Sequence, residues 1–340
     1  MQDFFKYFRG SLLVTLTGVI AAFFLGGLET VFIVAVLAVL EVSLSFDNAV
    51  VNATVLKDMS EVWRRRFLTW GIVIAVFGMR IVFPVLIVSI VSGLPPWQAV
   101  AIAINAPNDY AAYMTSAHVS IMAFGGAFLM MVSFGFFFDN EKEHHWIPPM
   151  EKPLTRLAGI PFFAHILTLA FTLGVSFIAL SGEESRTFLI AAVTGILIFT
   201  AIEKLTEYME NYEKARSVNH AAKSGAAMFI YLEVLDASFS FDGVIGAFAI
   251  TTDIFIIAIG LGIGAMFVRS LTILLVEKDT LTEYVYLEHG AFYAIIALAF
   301  IMFMKTFIHV PEVITGLIGA GCIGAAFIHS LMHKNKTAMA

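Results

Sequence analysis

Long apolar runs are the feature that most constrains what this chain can fold into. A helix needs about 20 apolar residues to cross a bilayer, and the 340-residue sequence offers ten runs of this kind. A bilayer gives an open backbone no hydrogen-bond partners, so such runs favour helices. We therefore predict an all-α polytopic membrane protein with about ten transmembrane helices. The predicted spans are 11–28, 30–56, 67–91, 118–138, 159–180, 187–202, 226–251, 253–276, 289–308 and 311–332.

The composition excludes several classes of protein. Hydrophobic residues make up 59% of the chain and charged residues 14%, whereas a soluble domain has about 45–50% and 25%. The chain therefore cannot cover itself with a polar surface, and the lipid bilayer is its predicted partner. The sole cysteine, Cys322, excludes an internal disulfide and a site with several thiolates. The Lys and Arg residues form no single basic face, which argues against nucleic acid as a partner.

The distribution of positive charge predicts which side of the membrane each loop faces, because short cytoplasmic loops are enriched in Lys and Arg. With the N-terminus inside and ten spans, sixteen of the 20 Lys and Arg fall in inside segments. Arg186 alone falls outside, and Arg80, Arg269 and Lys305 lie within spans. This bias predicts a multi-pass protein of the plasma membrane, the inner membrane of a bacterium, with both termini cytoplasmic.

The segment 92–117 is ambiguous. Its centre, Ala99–Ile104, is apolar but short, and prolines and polar residues interrupt both flanks. It contains no Lys or Arg, which agrees with an outside location. A re-entrant loop and an extramembrane loop are both compatible with this pattern.

An internal repeat lies within the second and seventh runs. Residues 41–48 are EVSLSFDN and residues 236–243 are DASFSFDG, so both follow acid-x-Ser-x-Ser-Phe-Asp. We call these the first motif and the second motif. The span that follows each motif contains one arginine, Arg80 or Arg269. Repeats of this kind indicate duplicated structural units.

The positions of the two motifs predict how the duplicated units are oriented. The motifs are five spans apart, so in the predicted topology they cross the membrane in opposite directions. We therefore expect two inverted five-helix repeats, 1–180 and 181–340, within one membrane domain. Inverted repeats are common in secondary transporters, which place the substrate near the midplane where the halves meet.

Helical spacing groups the polar residues of each motif into a stripe. At 100° per residue, the stripes are Glu41, Ser45, Asn48 and Asn52 in the first half, and Glu233, Asp236, Ser240 and Gly243 in the second. Asp47 and Asp242 lie about 120° around the helix from the first acid of their motif. Both acids of one motif can face a single ion only where the helix is broken; otherwise they have different roles.

Carboxylates within these spans need partners. An unpaired one at the bilayer centre costs about 2.5–3.5 kcal/mol on insertion scales. The four motif acids and two arginines leave a formal charge that one divalent cation would neutralise, and hard oxygen ligands suit Mn²⁺, Mg²⁺ or Ca²⁺. The predicted metal ligands are Glu41, Asp47, Asn48, Asp236 and Asp242, supported by Ser45, Asn52, Ser240 and Glu233.

The two arginines predict charge pairing within the membrane. Arg80 with Asp47, and Arg269 with Asp242, could form two symmetric salt bridges that hold the halves together without any ion. Two arginines cannot neutralise four carboxylates, however, so a purely structural role for all four acids is disfavoured.

These residues resemble the TerC family, the tellurium-resistance TerC-like integral membrane proteins. The first motif ends in Asp47-Asn48, and the second follows Asp-x-x-Phe-Ser-x-Asp from Asp236 to Asp242. The resemblance implies a polytopic protein that moves metal ions, with manganese efflux as an activity of the family. The long segment 92–117 and the polar loop 203–225 depart from the family pattern and indicate a divergent branch.

The leading hypothesis is a transporter of a divalent metal ion, with Mn²⁺ export as the expected activity. It works by alternating access, and proton exchange on the same carboxylates could drive transport. The metal is cargo, and no cofactor is expected. No nucleotide-binding motif occurs, which argues against ATP-driven transport. An intramembrane aspartyl protease is disfavoured because the Tyr-Asp and Gly-x-Gly-Asp contexts are missing, so no enzyme activity is expected. A non-transporting scaffold in metal or tellurite stress resistance is the alternative, and a homo-oligomer is compatible with either.

Overall fold

The computed structural model describes residues 2–71, 73–140, 142, 144–157, 159–215 and 225–339. Within these residues every regular element is a helix and none is a strand. The side chains of residues 2–4, 210–215, 241–242 and 335–339 are outside the described set. The helices are α1 (Gln2–Leu44), α2 (Phe46–Asp58), α3 (Glu61–Arg66), α4 (Phe83–Ser92), α5 (Pro96–Asn105), α6 (Pro107–Ser116), α7 (His118–Phe137), α8 (Pro148–Leu157), α9 (Phe163–Ala179), α10 (Gly182–Ala215), α11 (Gly225–Phe248), α12 (Ile254–Glu277), α13 (Thr280–Glu283), α14 (Leu287–Lys305) and α15 (Glu312–Met339), with π-helical segments at Phe67–Gly71 and Ile74–Val82.

Seven of the described helices are long and apolar enough to cross a membrane. The helix α9 is also apolar but has only 17 residues. These helices identify a membrane-embedded helical protein, as the sequence predicts. The seven segments are Phe5–Leu44, Ile74–Ser92, His118–Phe137, Gly182–Met209, Ile254–Glu277, Leu287–Lys305 and Glu312–Lys334.

The first of these segments, α1, is two helices joined by a sharp turn. Gly26 and Gly27 leave the helical conformation, and Gly27 has a φ of 70°. Only glycine adopts this conformation without a steric penalty. The turn divides α1 into a first arm before Gly26 and a second arm after Gly27.

Contacts with α12 give the directions of the two arms. The first arm meets α12 in descending order of α12 residue number, whereas the second arm meets it in ascending order, so the arms run antiparallel to each other. Close approaches at glycines and one serine pair define this packing: Ser11–Ser270 and Gly18–Ile263 in the first arm, and Leu37–Gly260 and Glu41–Gly264 in the second. The predicted hairpin of spans 11–28 and 30–56 is therefore present.

The ambiguous segment 92–117 forms two short helices, α5 and α6, which pack against α4. Each has 10 residues, too few to cross a bilayer. Tyr110 and Met114 of α6 are buried in this packing. The apolar centre of the segment therefore lies in α5, which pairs with α6 and packs against α4.

The middle of the bundle is built on α7 and α14, which run antiparallel. Gly126 approaches Phe303, while near the other end Phe136 stacks on Phe292 with ring centroids 4.0 Å apart. The helix α10 packs along another face of α7, where Gly195 lies against the backbone of Phe124. Glycine permits these close backbone approaches because it has no Cβ.

The segment after α7 is fixed to the bundle through one buried acid, Glu151 of α8. Its Oε1 accepts from the Ile147 N–H (3.1 Å), and its Oε2 lies 3.3 Å from His145 Nδ1 and 3.6 Å from Lys142 Nζ. Burial would raise the pKa of Glu151, but this N–H and the nearby cationic groups outweigh it and hold the pKa below its usual value. The carboxylate therefore remains charged while fully buried.

Candidate functional site

The two motifs meet where α2 and the end of α1 cross α11. Asn48 Nδ2 donates to Asp236 Oδ1 at 2.5 Å. A methyl group on Gly243 would lie 2.9 Å from Glu41 Oε2. The beginning of each motif therefore faces the end of the other, and the two motifs run antiparallel. This brings together residues almost 200 positions apart in the sequence.

The first motif contains a helix break at Ser45, which separates α1 from α2. Ser45 has φ −108° and ψ 16°, outside the α-helical region. The second motif, in contrast, lies inside the continuous helix α11. The two motifs therefore differ in backbone geometry although their sequences match.

The break does not bring Asp47 to the same place as Glu41. Asp47 Oδ2 lies 3.6 Å from where a methyl group on Gly319 of α15 would stand, and Oδ1 accepts from the Asn48 N–H at 3.0 Å. Asp47 is buried on the α15 side of α2. Glu41 and Asp47 therefore occupy different environments and do not face a single ion, although the helix is broken between them.

A small cavity of about 40 Å³ lies beside the crossing of the motifs. It is bounded by the first motif and α2, by the π-helical segments, by α11 and by α12. Most of the predicted polar stripe lines it. The lining residues are Glu41, Ser45, Asn48, Asn52, Phe67, Leu68, Gly71, Ala75, Val76, Arg80, Asp236, Ala265, Val268, Arg269 and Thr272.

The acid of the first motif is held by an ion pair. Arg80 Nη2 donates to Glu41 Oε1, and both side chains are at most 4% exposed. Ser45 Oγ donates to the same carboxylate oxygen at 3.1 Å. Arg80 also donates to the Ala75 carbonyl oxygen within the π-helical segment. Arg80 therefore pairs with Glu41. The salt-bridge alternative had instead paired Arg80 with Asp47.

The acid of the second motif is held differently. Asp236 accepts from Asn48, and among the described side chains no carboxylate lies within ion-pairing distance of Arg269. Arg269 Nε and Ser240 Oγ are buried without a hydrogen-bond partner in that set. The side chain of Asp242 lies outside the described residues, and so does the predicted pair of Arg269 with Asp242.

Unpartnered oxygen atoms concentrate near this cavity. In the described part of the chain, Asn48 Oδ1, Asn52 Oδ1 and both carboxylate oxygens of Glu233 are buried without a hydrogen-bond partner. Glu233 Oε1 lies 3.1 Å from where a methyl group on Gly71 would stand. Buried polar atoms usually have partners, so these acceptors indicate a place for a cation or for water.

The carboxylates alone do not form a metal cage. Over the described residues, no group of three or more His, Cys, Asp or Glu side chains is arranged to hold a metal ion. The oxygens at the cavity come from amides and a hydroxyl as well as from Glu41 and Asp236. Any ion bound there would use this mixed set of hard oxygen donors.

No sequence pattern had pointed to two parts of the cavity. Thr272 of α12 and the π-helical wall around Gly71 line it, yet their sequences are those of ordinary apolar spans. Within Ile74–Val82 only Arg80 breaks the apolar pattern. Single-turn π-helical insertions are often found at functional sites, but they have no strong sequence signature.

One comparison with known proteins identifies a family. A family model described as a protein of unknown function, DUF475, matches residues 46–337. The chain belongs to this family. The match to DUF475 begins at the start of α2 and ends inside α15, so it includes all cavity residues except Glu41 and Ser45. No curated protein and no solved structure matches the chain.

Proposed function

We propose that this DUF475 protein is an integral membrane transporter of a divalent metal ion that works by alternating access. The observation that carries the proposal is the antiparallel meeting of two acidic motifs at a cavity inside an apolar helical bundle. Carboxylates within a membrane are costly and usually mark ion or proton pathways. Here the buried acceptors without partners are oxygen atoms, which favours a hard cation as the cargo.

We assign ten membrane spans to the long helices. In this topology, the two arms of α1 cross separately, the second continuing into α2, and α9 and α11 cross in addition to the longer apolar helices. Three ion pairs support the arrangement because each joins two segments assigned to the cytoplasmic side. These pairs are Lys6–Glu277, Lys57–Glu288 and Lys334–Glu283.

Helix directions support two inverted repeats. In the proposed arrangement, α2 corresponds to α11 and α7 corresponds to α14. Both corresponding pairs pack antiparallel. The contacts Asn48–Asp236 and Glu41–Gly243 indicate this for the motifs, and Gly126–Phe303 and Phe136–Phe292 indicate it for α7 and α14. Inverted halves that meet at a polar site near the midplane are a common plan of secondary transporters.

The position of the cavity supports loading from the cytoplasm. In the proposed topology, Asn52, Phe67 and Thr272 lie toward the cytoplasmic ends of their spans, whereas Glu41 and Arg80 lie deeper. On the outer side, Glu312 packs against Gly246 and lies 3.6 Å from Lys305. An inward-facing cavity with a packed outer side is the loading state of an exporter.

The TerC resemblance favours Mn²⁺ as the cargo and the plasma membrane as the location. Mn²⁺ accepts carboxylate, amide and hydroxyl oxygens together, which is the donor set at the cavity. Proton exchange on Asp236 or Glu233 could couple transport to a pH gradient, because both acids lack a cationic partner among the described side chains. We propose resistance to metal or tellurite stress as the physiological setting.

Flux measurements in proteoliposomes test the proposal. The full chain is reconstituted, and uptake of Mn²⁺ is followed with Mg²⁺, Ca²⁺ and Zn²⁺ as comparators, with and without a pH gradient. Asp236→Asn should abolish Mn²⁺ flux because it removes a charged ligand. Asp109→Asn is the matched control, since Asp109 is exposed on α6, and it should retain the wild-type flux.

The result that would overturn the proposal is folded wild-type protein that moves none of these ions. A scaffold role would then be favoured, and changes in the segments 139–157 or 203–225 should abolish metal resistance while Asp236→Asn leaves it intact. Peptide cleavage by the purified protein, lost in Asp236→Asn, would instead indicate the disfavoured protease.

A further inference from the structure

We propose that Arg269 is a built-in competitor of the transported cation for Asp236. In the state that opens to the other side of the membrane, Arg269 pairs with Asp236, while Arg80 releases Glu41. The structure would then show one of two states related by an exchange of ion pairs between the halves. This inference rests on the proposed transport function and adds to it the device that expels the cation.

The first step is that equivalent acids are in different states. Glu41 and Asp236 occupy the same position in the two motifs. Glu41 is neutralised by Arg80 and receives a hydrogen bond from Ser45. Among the described side chains, Asp236 accepts a hydrogen bond from the amide of Asn48 alone, although Ser240 stands four residues after it, as Ser45 stands after Glu41.

The second step is that the arginine of the second half is near and available. Arg269 lines the same cavity as Asp236 and Arg80. Its Nε is buried without an acceptor among the described residues. Arg269 is half-buried, and a partly desolvated guanidinium without a carboxylate is unfavourable, so pairing with Asp236 would stabilise this side chain.

The third step concerns the balance between the two states. Breaking one buried ion pair without forming another is strongly destabilising. An exchange that forms Arg269–Asp236 as Arg80–Glu41 opens keeps the number of ion pairs constant. The two states can then be close enough in free energy for a transporter to populate both.

The fourth step links the exchange to transport. A cation at the cavity and the guanidinium of Arg269 both require the carboxylate of Asp236, so they exclude each other. Formation of the Arg269–Asp236 pair expels the cation. While Arg269 and Asp236 are apart, the hydrogen bond from Asn48 positions the carboxylate of Asp236 to bind a cation. Arg269 is therefore a positioning residue rather than a metal ligand.

The test compares binding with exchange in Arg269→Gln. Mn²⁺ binding is measured in detergent from the electron paramagnetic resonance signal of free Mn²⁺, and Mn²⁺ counterflow is measured in proteoliposomes. Arg269→Gln should bind Mn²⁺ at least as tightly as wild type, because the competitor is gone. Its counterflow should fall by about tenfold or more, because an equilibrium between states shifts by the differential interaction that is lost. Arg269→Lys should restore part of the counterflow, and Arg186→Gln, at an exposed arginine, should match wild type.

Thiol labelling supplies a readout of the conformation. Ala75→Cys, at the cavity wall, is introduced into a Cys322→Ser background that is first shown to retain counterflow. Cytoplasmic maleimide should label Ala75→Cys faster in Arg269→Gln, which is held in the described state. It should label more slowly in Arg80→Gln, which favours the opposite state.

The outcomes separate this inference from the proposed function. Wild-type counterflow in Arg269→Gln, or loss of Mn²⁺ binding in that variant, overturns the exchange and leaves the transporter proposal intact. Faster labelling in Asp242→Asn that matches Arg269→Gln would assign Arg269 to Asp242 and also overturn it. Wild-type protein that neither binds nor moves any divalent cation removes the function on which the inference rests.

Discussion

The first and second motifs have the same residue pattern but differ in almost every interaction the structure describes. Around the first motif the helix is broken, and its acid Glu41 is paired with Arg80 and bonded to Ser45. Around the second motif the helix is continuous, and Asp236 accepts from Asn48 of the other half. The two motifs therefore carry the same functional groups, and packing gives these groups different partners.

This difference teaches that pairing within a repeat does not follow from spacing alone. Glu41 and Ser45 are four residues apart and bonded, whereas Ser240, four residues after Asp236, has no partner among the described residues. The side-chain geometry on a helix is the same in both cases. What differs is the arginine, which reaches one acid and not the other.

The largest expected effect comes from removing the arginine of the first half. Arg80→Gln leaves Glu41 buried without its cation and should lower the free energy of unfolding by about 3–5 kcal/mol. Arg269→Gln should cost much less, because no described carboxylate depends on it. Thermal unfolding of the purified protein in detergent measures both variants.

A rescue variant checks the cause. Adding Glu41→Gln to Arg80→Gln removes the stranded charge and should recover part of the lost stability. Equal losses for Arg80→Gln and Arg269→Gln would contradict the difference between the halves.

The next effect tests how closely Glu41 is packed. A methyl group on Gly264 would stand 2.5 Å from Glu41 Cβ and 2.9 Å from the Ala38 carbonyl oxygen. Gly264→Ala should therefore cost about 1–3 kcal/mol through overpacking. Gly262→Ala is the matched control on α12, where the nearest atom is 3.4 Å away. A loss of stability in the control as large as in Gly264→Ala would show that α12 needs glycine for another reason.

Glu151, a buried acid outside both motifs, provides a reference for the comparison. In Glu151→Gln the amide oxygen can still accept from the Ile147 N–H, and Lys142 keeps its contact with the Phe136 ring, so the change should cost about 1–2 kcal/mol at pH 7. The folded-state pKa of Glu151 is lowered, so its stabilisation is fully present above the ordinary value of 4.5 and is lost as the pH falls below it. Unfolding curves between pH 7 and pH 4 should show the two proteins converging at the acidic end. A constant difference across this range would mean that the charge of Glu151 contributes nothing.

The smallest effect compares the two serines. Ser45→Ala removes the hydrogen bond to Glu41 and should cost about 1 kcal/mol. Ser240→Ala should be close to neutral, because the hydroxyl has no partner in the described structure. Equal costs would indicate that Ser240 has a partner among the side chains not described.

Much of the fold could be predicted from the sequence. The apolar runs located the long helices, and Gly26-Gly27 lies where the hairpin was expected. The polar stripe Glu41, Ser45, Asn48 and Asn52 was predicted from spacing, and all four residues line the cavity. Periodicity was sufficient here because polar side chains within a membrane span almost always face the interior of the bundle.

Other features could not be predicted. The segment 92–117 forms two helices too short to span, because prolines at the start of each helix interrupt the apolar run. The π-helical wall around Arg80 depends on a hydrogen-bond shift that apolar sequences do not encode clearly. Asp47 is directed toward α15, since the break at Ser45 did not rotate it into the cavity.

The sequence by itself determined that this is a helical membrane protein with polar groups at two equivalent positions. Composition and periodicity suffice for this, because burial in lipid fixes which runs must be helical. Only the tertiary structure decided that Arg80 pairs with Glu41 and that Asn48 bonds to Asp236. Partner choice depends on which helices lie side by side, and that is set by close packing at glycines such as Gly243 and Gly264 rather than by the motifs themselves.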